Sequence, residues 1–426
     1  MNTLRLINYT VSILFVLCYA YQFVYIPISL FKKKKTAIKK PDLHNFAVLI
    51  CARNEAAVIG DLIDSIKYQT YNKDLITVFV LADNCTDNTA EIAKLKGAKV
   101  YSRFNKELVG KGYALQELRQ HIAEDYPEGF DGYFVFDADN ILSPNYIEEM
   151  NKTFSEGNDI ITSYRNSKNY GDNWISAGYA LWFLRESRYL NNARDLIGTS
   201  CMVSGTGFLF SRKIAENISD WPFHTLTEDI EFSADLIVNG YRIAFCPAAE
   251  FYDEQPTGFA QSWRQRLRWS KGYLQVFRKY GKRMIKGCMK GNFSCFDMTM
   301  SIMPAFILSA MSVILNLVIG VRGAYAGDDI TIALKSIGEM LGNMYLTLFA
   351  VGIITTVSEW KHIKTSAKRK IAFSFTFPLF MFTYIPISIR ALFGKCEWKP
   401  IIHSVSASDM LLKSGKTGRP GNEIQN

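Results

Sequence analysis

The N-terminal segment of the chain is almost wholly apolar, from Leu4 through Leu30, and it stops at four lysines, Lys32–Lys35. A cleaved signal peptide carries positive charge before its apolar run and small residues after it, whereas here the charge follows the run. A helix of about 20 apolar residues is long enough to cross a bilayer. Residues 1–31 are therefore predicted to form a transmembrane helix, with the lysines on the cytosolic side.

Three further apolar stretches occupy the last third of the chain, at about 298–321, 341–357 and 371–393. The second stretch is the weakest of the three because Asn343 interrupts it. Their lengths predict about three C-terminal transmembrane helices, so a membrane region is expected over residues 298–393.

Charged residues between these stretches predict how the chain crosses the membrane. The basic loop that ends at Lys368–Lys370 is expected in the cytosol, and the loop with Asp328 and Asp329 is expected outside. Three spans after a cytosolic domain put the tail, residues 394–426, outside, although the tail is basic. Either the tail lies outside despite its charge, or one stretch is re-entrant or interfacial.

The middle of the chain, residues 40–255, alternates between strand-like and helix-like runs. Phe46–Cys51 is a continuous apolar run, which is typical of a buried parallel strand, and residues 55–69 have apolar positions at helical spacing. The further elements predicted in this region are strands at Leu75–Leu81, Lys99–Tyr101 and Tyr133–Phe136 and a helix at Thr89–Lys96. The order predicts an α/β domain with a mostly parallel sheet, in which ligands bind at the carboxyl ends of the strands.

A basic amphipathic helix is predicted over residues 256–290. Aromatic and leucine side chains recur there at helical spacing, and arginines and lysines fill the positions between them. This pattern is typical of a helix that lies at a membrane interface.

Composition narrows the functional classes. The formal net charge is +9, but much of the excess lies beside apolar stretches, and the sequence contains no recognisable nucleic-acid-binding module. We therefore expect a lipid bilayer as a partner and no nucleic acid. The eight cysteines form no CxxC pair or metal-binding spacing, so we expect reduced thiols.

Polar residues follow the predicted strands. Cys51–Glu55 follows the first strand, where free backbone N–H groups could hold a base or phosphate, although Asn54 could equally be a helix cap. Asp83–Asp87 follows the second strand, where a carboxylate could accept hydrogen bonds from a ribose or a uracil, or where these residues could form a plain turn.

Asp137 and Asp139 come directly after a buried strand, two residues apart. Carboxylate oxygens are the ligands that Mg²⁺ and Mn²⁺ prefer, usually together with substrate phosphates. The pair therefore indicates a divalent metal site, and the alternative is a loop with two exposed acids.

Two later motifs are also candidates. Thr227–Asp229 is either the start of a helix, with its acids favoured by the helix dipole, or the location of a general base at Asp229. Gln265–Trp269 lies on the basic amphipathic helix, whose membrane affinity explains the charge but not the glutamine and tryptophan.

In this order and spacing, the motifs ARNE, DNCTD, GKGYAL, DAD, SGTG, TED and QRLRW resemble those of the family 2 glycosyltransferases, especially the membrane-embedded cellulose, hyaluronan and poly-N-acetylglucosamine synthases. The resemblance covers about residues 45–275 and the flanking membrane helices. It implies a GT-A fold and inverting transfer from a nucleotide sugar, usually a UDP-sugar, with Mg²⁺ or Mn²⁺ as cofactor. DNCTD departs from the pattern of many relatives, since Asn84 is not an acid.

The resemblance also implies a role for each motif. Asp229 would be the catalytic base, and Asp137 and Asp139 would hold the metal and through it the diphosphate. The residues expected to bind the nucleotide are Ala52, Arg53, Glu55, Asp83, Lys111 and Asp137. The residues expected to bind the donor sugar and the acceptor are Ser204, Gly205, Thr206, Gly207, Glu228, Gln265, Arg266, Arg268 and Trp269.

These implications leave the acceptor open. The first hypothesis is synthesis of an extracellular or capsular polysaccharide by a multi-pass cell-membrane protein, with export or assembly partners. The second is transfer of a single sugar to a polyprenyl phosphate or other lipid, and QRLRW favours the first over it. A non-catalytic membrane protein that binds sugar nucleotides is a third alternative, against which the complete set of acids argues.

Overall fold

The computed structural model describes residues 2–32, 41–218, 220–325, 330–394 and His403. Several sequence predictions lie outside the described residues. They concern most of the tail, the acidic loop with Asp328 and Asp329, and three of the four N-terminal lysines.

Within the described residues, eight strands form a single sheet with the order β3-β2-β1-β4-β7-β6-β8-β5. Neighbours among β3, β2, β1 and β4 are parallel, as are β6 and β8, whereas β7 and β5 run antiparallel to their neighbours. The mostly parallel sheet predicted from the alternation of elements is confirmed. The strands are β1 Phe46–Ala52, β2 Ile76–Asp83, β3 Lys99–Arg103, β4 Gly132–Asp137, β5 Ile141–Leu142, β6 Ile160–Ser167, β7 Phe208–Ser211 and β8 Ala244–Asp253.

Helices cover both faces of the sheet and continue into the C-terminal region. The helices of the described chain are α1 Asn2–Phe31, α2 Ile59–Lys67, α3 Thr89–Leu95, α4 Lys111–Asp125, α5 Tyr146–Ser155, α6 Trp174–Arg185, α7 Asn192–Ile197, α8 Arg212–Asn217, α9 Glu228–Val238, α10 Phe259–Met289, α11 Phe293–Ile302, α12 Pro304–Tyr325, α13 Ile330–Ser358, α14 Ala367–Phe382 and α15 Tyr384–Phe393. A π-helical turn, Glu186–Asn191, joins α6 to α7.

The sheet separates two hydrophobic clusters, and successive residues of each central strand face opposite sides. In β1, Leu49 belongs to the cluster under α4 and α6, whereas Val48 and Ile50 belong to the cluster under α2 and α5. All three side chains are fully buried. Burial on both faces explains why β1 reads as a continuous apolar run.

Three helical segments are long and apolar enough to cross a membrane, by length and composition, among the residues described: Asn8–Phe31, Ile337–Ser358 and Ala367–Phe393. They fall on three of the four apolar stretches. The stretch at 298–321 is divided instead between α11 and α12, with Pro304 as the first residue of α12. Proline suits that position because its missing N–H would have no helical partner there.

Candidate active site

The carboxyl ends of three parallel strands form one edge of the sheet. β1 lies between β2 and β4, with Ala52 beside Ala82 and Cys51 beside Asp137 in the register. Asp83 and Asp137, which end β2 and β4, therefore lie on either side of the end of β1. A cavity of about 1300 Å³ opens at this edge.

Most of the residues expected to bind substrate line this cavity. Those that do are Ala52, Arg53, Glu55, Asp83, Lys111, Asp137, Asp139, Ser204, Gly205, Glu228, Asp229, Gln265, Arg268 and Trp269. Motifs that are separated by more than 200 positions in the sequence thus meet around one volume.

Thr206 and Gly207 do not line the cavity but contact residues next to it. The hydroxyl of Thr206 accepts a hydrogen bond of 2.9 Å from the backbone N–H of Asp137. Gly207 has a φ of +67°, and a Cβ there would lie 2.2 Å from the ring of Phe251. Only glycine fits both the backbone conformation and the space.

Arg266 also lies away from the cavity, unlike Gln265, Arg268 and Trp269 of the same motif. Its guanidinium is fully buried, donates to the Thr383 hydroxyl at 2.5 Å and lies over the rings of Phe380 and Tyr384 at 4.4 and 4.9 Å. Arg266 therefore joins α10 to α14 and α15 rather than facing the substrate volume.

Asp83 is held by a residue that the sequence analysis did not single out. In the parallel register, Asp83 of β2 lies beside Arg103 of β3. The Arg103 guanidinium donates to Asp83 Oδ1 at 2.7 Å, and the Asn84 amide donates to the same oxygen at 2.9 Å. Asp83 is thereby fixed as a buried acceptor at the edge of the cavity.

Lys111 bridges two motifs at the N-terminus of α4. Its Nζ forms an ion pair with Asp137 Oδ1 and donates to the carbonyl oxygen of Gly205 at 2.8 Å. A free N-terminal helix end and an ammonium group at one point both favour negative charge, such as that of a phosphate.

Asp139 lies deeper than Asp137, with 4% of its surface exposed. Its Oδ2 accepts from the backbone N–H of Glu254 at 2.8 Å. Burial alone would raise the pKa of Asp139, but the positive charges of His403 and Lys168 outweigh burial and lower it. Asp139 is therefore ionised at neutral pH.

The donor set fits a divalent cation that is shared with a substrate. Among the described residues, no group of three His, Cys, Asp or Glu side chains is clustered closely enough to hold a metal ion by itself. Asp137 and Asp139 offer oxygen ligands, and the buried Oδ1 of Asp253, which lines the same cavity, has no hydrogen-bond partner in the described chain. Mg²⁺ is usually bound by one or two carboxylates together with substrate phosphates and water.

Glu228 and Asp229 are the first two residues of α9, and both line the cavity. Burial, followed by the charge of Asp229, raises the pKa of Glu228 to about 7. Burial likewise raises the pKa of Asp229 above its usual value. The Thr227 side chain occupies the N-cap position without making a capping hydrogen bond.

Two glycines allow the motifs to approach each other. A Cβ on Gly112 would lie 2.0 Å from the carbonyl oxygen of Phe223, so α4 touches the loop that leads to Glu228 and Asp229. A Cβ on Gly272 would lie 2.4 Å from Thr227 Oγ1, so α10 touches the same loop from the other side. The loop before the acids of α9 therefore packs between the GKGYAL motif and the helix that carries QRLRW.

Gln265, Arg268 and Trp269 share one face of α10, because residues three and four apart are neighbours on a helix. Arg268 donates to the carbonyl oxygen of Leu226 at 2.8 Å, and Trp269 packs edge-on against Tyr179. The buried Oε1 of Gln265 has no hydrogen-bond partner within the described structure. A polar atom in this situation is typical of a site that a ligand completes.

Three further cavity residues were not predicted from the sequence. Arg165 of β6 donates to the Ser204 carbonyl at 2.7 Å, and Glu186 of the π-helical turn accepts from the Ser204 hydroxyl at 2.6 Å. His403 lies 3.0 Å from Glu55, and the carboxylates of Asp139 and Glu55 outweigh burial and raise the pKa of His403 to about 10. No local motif marks these residues, since each is isolated in the sequence.

Known proteins resemble this chain in both sequence and fold. The profile described as "Glycosyltransferase like family 2" matches residues 44–272, which is more than half of the chain. A probable glycosyltransferase of Bacillus subtilis, YdaM, is 24% identical over 360 residues, covering 80% of each chain. The poly-beta-1,6-N-acetyl-D-glucosamine synthase of Staphylococcus aureus is 27% identical over 250 residues, covering 57% of this chain and 58% of that synthase.

A solved structure shows the same fold. The mannosyltransferase PcManGT from Pyrobaculum calidifontis, in complex with GDP-Man and Mn2+, superposes with a TM-score of 0.56 over 92% of this chain and 99% of its own, at 14% sequence identity. The expected GT-A fold is therefore confirmed. Because the family profile matches more than half of the chain, the chain belongs to glycosyltransferase family 2.

Proposed function

We propose that this glycosyltransferase moves a sugar from a nucleotide sugar, in the first instance a UDP-sugar, to a growing glycan with inversion at the anomeric carbon. The observation that carries the proposal is the position of Asp229, which faces the same cavity as Asp137, Asp139 and the QRLRW helix. One carboxylate with a raised pKa beside a diphosphate site is the minimum that an inverting transfer requires.

In the proposed reaction, an acceptor hydroxyl loses its proton to Asp229 as its oxygen bonds to the anomeric carbon of the donor. The bond from that carbon to the diphosphate breaks, and the nucleoside diphosphate leaves with the electron pair. Such a base typically contributes about 10²- to 10⁴-fold in rate. The raised pKa of Asp229 makes it a stronger base than an exposed aspartate.

Positive groups stabilise the charge that develops on the leaving group. Lys111 and Arg268 line the cavity on the side of Asp137 and Glu228, and their charges act on the Glu228–Asp229 pair. Groups that are positioned before the reaction stabilise such charge most effectively in a site that excludes water. A divalent ion bound by Asp137 and Asp139 would supply further charge neutralisation at the diphosphate.

The nucleoside is assigned to the ends of β1 and β2. Ala52, Arg53 and Glu55 line that side of the cavity, and Asp83 presents a carboxylate there that Arg103 holds in place. A buried carboxylate can accept hydrogen bonds from ribose hydroxyls or from a uracil N–H.

Synthesis of an extracellular or capsular polysaccharide is the first candidate for the pathway. It is supported by the relative from Staphylococcus aureus, a poly-beta-1,6-N-acetyl-D-glucosamine synthase, and by the three apolar helical segments that are long enough to span a bilayer. The proposed arrangement is a multi-pass protein of the cell membrane with its catalytic domain, residues 40–255, in the cytosol, and with export or assembly partners.

Single-sugar transfer to a lipid is the second candidate, and the apolar residues that line part of the cavity support it. The cavity extends from the acids to residues of α1, α12 and α13, such as Phe15, Leu317 and Met344. A hydrocarbon chain fits an apolar wall of this kind.

A screen of UDP- and GDP-sugars with the purified full-length protein tests the proposal. GDP-sugars are included because the PcManGT structure holds GDP-Man. Mass analysis should find a product that grows by repeated addition of one sugar. A chloroform-extractable product that carries one sugar would replace the polymer assignment with the lipid assignment, and absence of transfer from every donor would contradict both.

A further inference from the structure

The cavity has two chemically different ends. The catalytic end contains Asp137, Asp139 and Asp229, whereas α1 and α12–α15 line the opposite end. Among the described residues that these five helices contribute to the lining, none is Asp, Glu, Lys or Arg. We call this opposite end the membrane end. Representative residues of its wall are Val11, Phe23, Leu317, Met340, Met344 and Leu348.

Several polar groups at the membrane end are paired with protein atoms. The side-chain amides of Asn8 and Asn316 donate to each other at 3.0 and 2.7 Å. The Thr347 hydroxyl donates to the backbone carbonyl of Asn343 at 2.9 Å. Most of the other residues in this wall are apolar, and contact with a hydrocarbon chain requires no hydrogen-bonding groups. The wall therefore favours a lipid chain as its occupant.

Arg185 lies where the two ends meet. It is the last residue of α6, lines the cavity, and donates from Nη2 to Gln22 Oε1 of α1 at 2.7 Å. Its Cζ lies 5.2 Å from the ring centre of Trp182. The next residue, Glu186, begins the π-helical turn, and such turns are frequent at functional sites.

The Arg185 guanidinium has no carboxylate within ion-pair distance in the described part of the chain. By contrast, Arg165 and Arg268, which also line the cavity, donate to Asp253 and to the Leu226 carbonyl. Burial, followed by the charge of Arg194, lowers the pKa of Arg185 to about 10. Holding a cation in such a place is costly unless an anion accompanies it. A ligand that brings negative charge to this point would remove the cost.

We propose that Arg185 binds the phosphate of a lipid-linked acceptor whose hydrocarbon chain lies in the membrane end of the cavity. The inference rests on the proposed glycosyl transfer, because it assigns the acceptor of that reaction. A guanidinium matches a phosphate in geometry as well as in charge, since it can donate two parallel hydrogen bonds. The donor nucleotide then enters from the strand edge and the acceptor from the membrane helices.

Two acceptors share this chemistry. A polyprenyl monophosphate can react directly: one of its charged oxygens bonds to the anomeric carbon, the nucleoside diphosphate leaves, and no proton is transferred. A sugar that is already linked to the lipid through phosphate reacts by a hydroxyl, whose proton goes to Asp229 while the nucleoside diphosphate leaves in the same way.

Binding of two fluorescently labelled probes to the full-length protein in detergent micelles tests the assignment of Arg185. The probes are a polyprenyl monophosphate and the matching polyprenol. The unmodified protein should bind the phosphate at least about tenfold more tightly, a difference of about 1.4 kcal/mol. Arg185→Gln should abolish most of this preference, and Arg185→Lys should keep part of it, because the lysine retains the charge but not the planar fork.

Arg119→Gln is the matched control. Like Arg185, Arg119 has a pKa lowered to about 10 by burial, and its Cζ lies 5.2 Å from a tryptophan ring centre, that of Trp221. Arg119 donates to backbone carbonyls and does not line the cavity. The control should bind both probes as the unmodified protein does. Equal affinity of the unmodified protein for the two probes, or an unchanged preference in Arg185→Gln, would overturn the inference.

A transfer assay separates this inference from the proposed function. Product from the polyprenyl monophosphate, or from a polyprenyl-diphosphate-linked sugar, identifies which source of lipid phosphate is used and supports the inference. Equally fast transfer to a phosphate-free oligosaccharide, unaffected by Arg185→Gln, would contradict the inference and leave glycosyl transfer standing. Absence of transfer to any acceptor, with the phosphate preference intact, would contradict the proposed function alone.

Discussion

At the scale of single residues, the proposed catalysis depends on the acids at the start of α9. Asp229 lines the cavity with a raised pKa, whereas Asp235, six residues further along the same helix, does not line it. Asp229→Asn should lower kcat by about 10²- to 10⁴-fold with little change in the KM for the donor, because it removes a base and not a binding group. Asp235→Asn is the control, and kcat within a fewfold of normal in Asp229→Asn would exclude the base.

The same acids predict the dependence of activity on pH. A base must be unprotonated, so kcat/KM should fall as the pH falls through the raised pKa of the Glu228–Asp229 pair. Burial is the main cause of both shifts and places the pKa of Glu228 at about 7. The acid limb of the pH profile should therefore lie above the usual aspartate value of 3.8. A limb at or below that value would mean that the pair does not control the reaction.

Metal dependence is a third prediction at this scale. Excess chelator should abolish transfer, and Mg²⁺ or Mn²⁺ should restore it. The reason is that Asp137 and Asp139 are negatively charged themselves, so a divalent ion is needed to neutralise the charge of the diphosphate. Product formation is measured before and after each addition, with a Ca²⁺ addition for comparison. Full activity in excess chelator would remove the metal from the account.

Some residues of the site could be predicted from the sequence, and others could not. Helical spacing alone separates Gln265, Arg268 and Trp269 from Arg266, which points to another face of α10. The partnership of Asp83 with Arg103 depends instead on the register between β2 and β3, which no local pattern specifies. Arg165 and Glu186 reach the cavity through chain segments that carry no motif, so tertiary structure was needed to find them.

At the scale of secondary-structure elements, the strands were predictable and some helices were not. β1, β2 and β4 are buried apolar runs that end at polar motifs, so both their existence and their carboxyl ends could be inferred. The stretch at 298–321 was expected as one span, but the chain forms two helices that meet before Pro304. Average hydrophobicity does not reveal such a break, whereas the proline does.

The contact between α10 and the start of α9 gives a prediction at this scale. Gly272→Ala would place a Cβ 2.4 Å from Thr227 Oγ1, so Thr227, which directly precedes the acids of α9, must shift. We expect transfer activity to fall at least about tenfold, since small misplacements of catalytic groups have large effects on rate. Gly281→Ala, on the same helix, meets the Phe277 ring at 3.2 Å and is the control. Equal activity in the two variants would show that the contact does not position Asp229.

At the scale of the whole molecule, a buried ion pair attaches the first helix to the catalytic domain. Arg194 of α7 donates to both oxygens of Asp297 of α11, at 2.7 and 2.8 Å. The hydroxyls of Tyr21 and Tyr25 on α1 donate to the same carboxylate at 2.8 Å each. Arg194 and Asp297 are 0% and 2% exposed, so this network is shielded from water.

Removal of one partner should therefore destabilise the molecule. Asp297→Asn leaves the Arg194 charge buried without its counter-ion, and the free energy of unfolding should fall by about 3–5 kcal/mol. Thermal unfolding in detergent measures the change. Lys213→Gln, which breaks an exposed pair with Asp159, should leave unfolding unchanged. If both variants unfold alike, the network does not hold α1 in place.

The stereochemistry of the product tests the central claim most directly. The full-length protein is supplied with an α-linked nucleotide sugar and an acceptor, and NMR of the first product reports the configuration at the anomeric carbon. Attack by one hydroxyl, with Asp229 as the single base, predicts a β-linked product that Asp229→Asn forms about 10²- to 10⁴-fold more slowly. An α-linked product would contradict the account, because retention requires a different arrangement of catalytic groups.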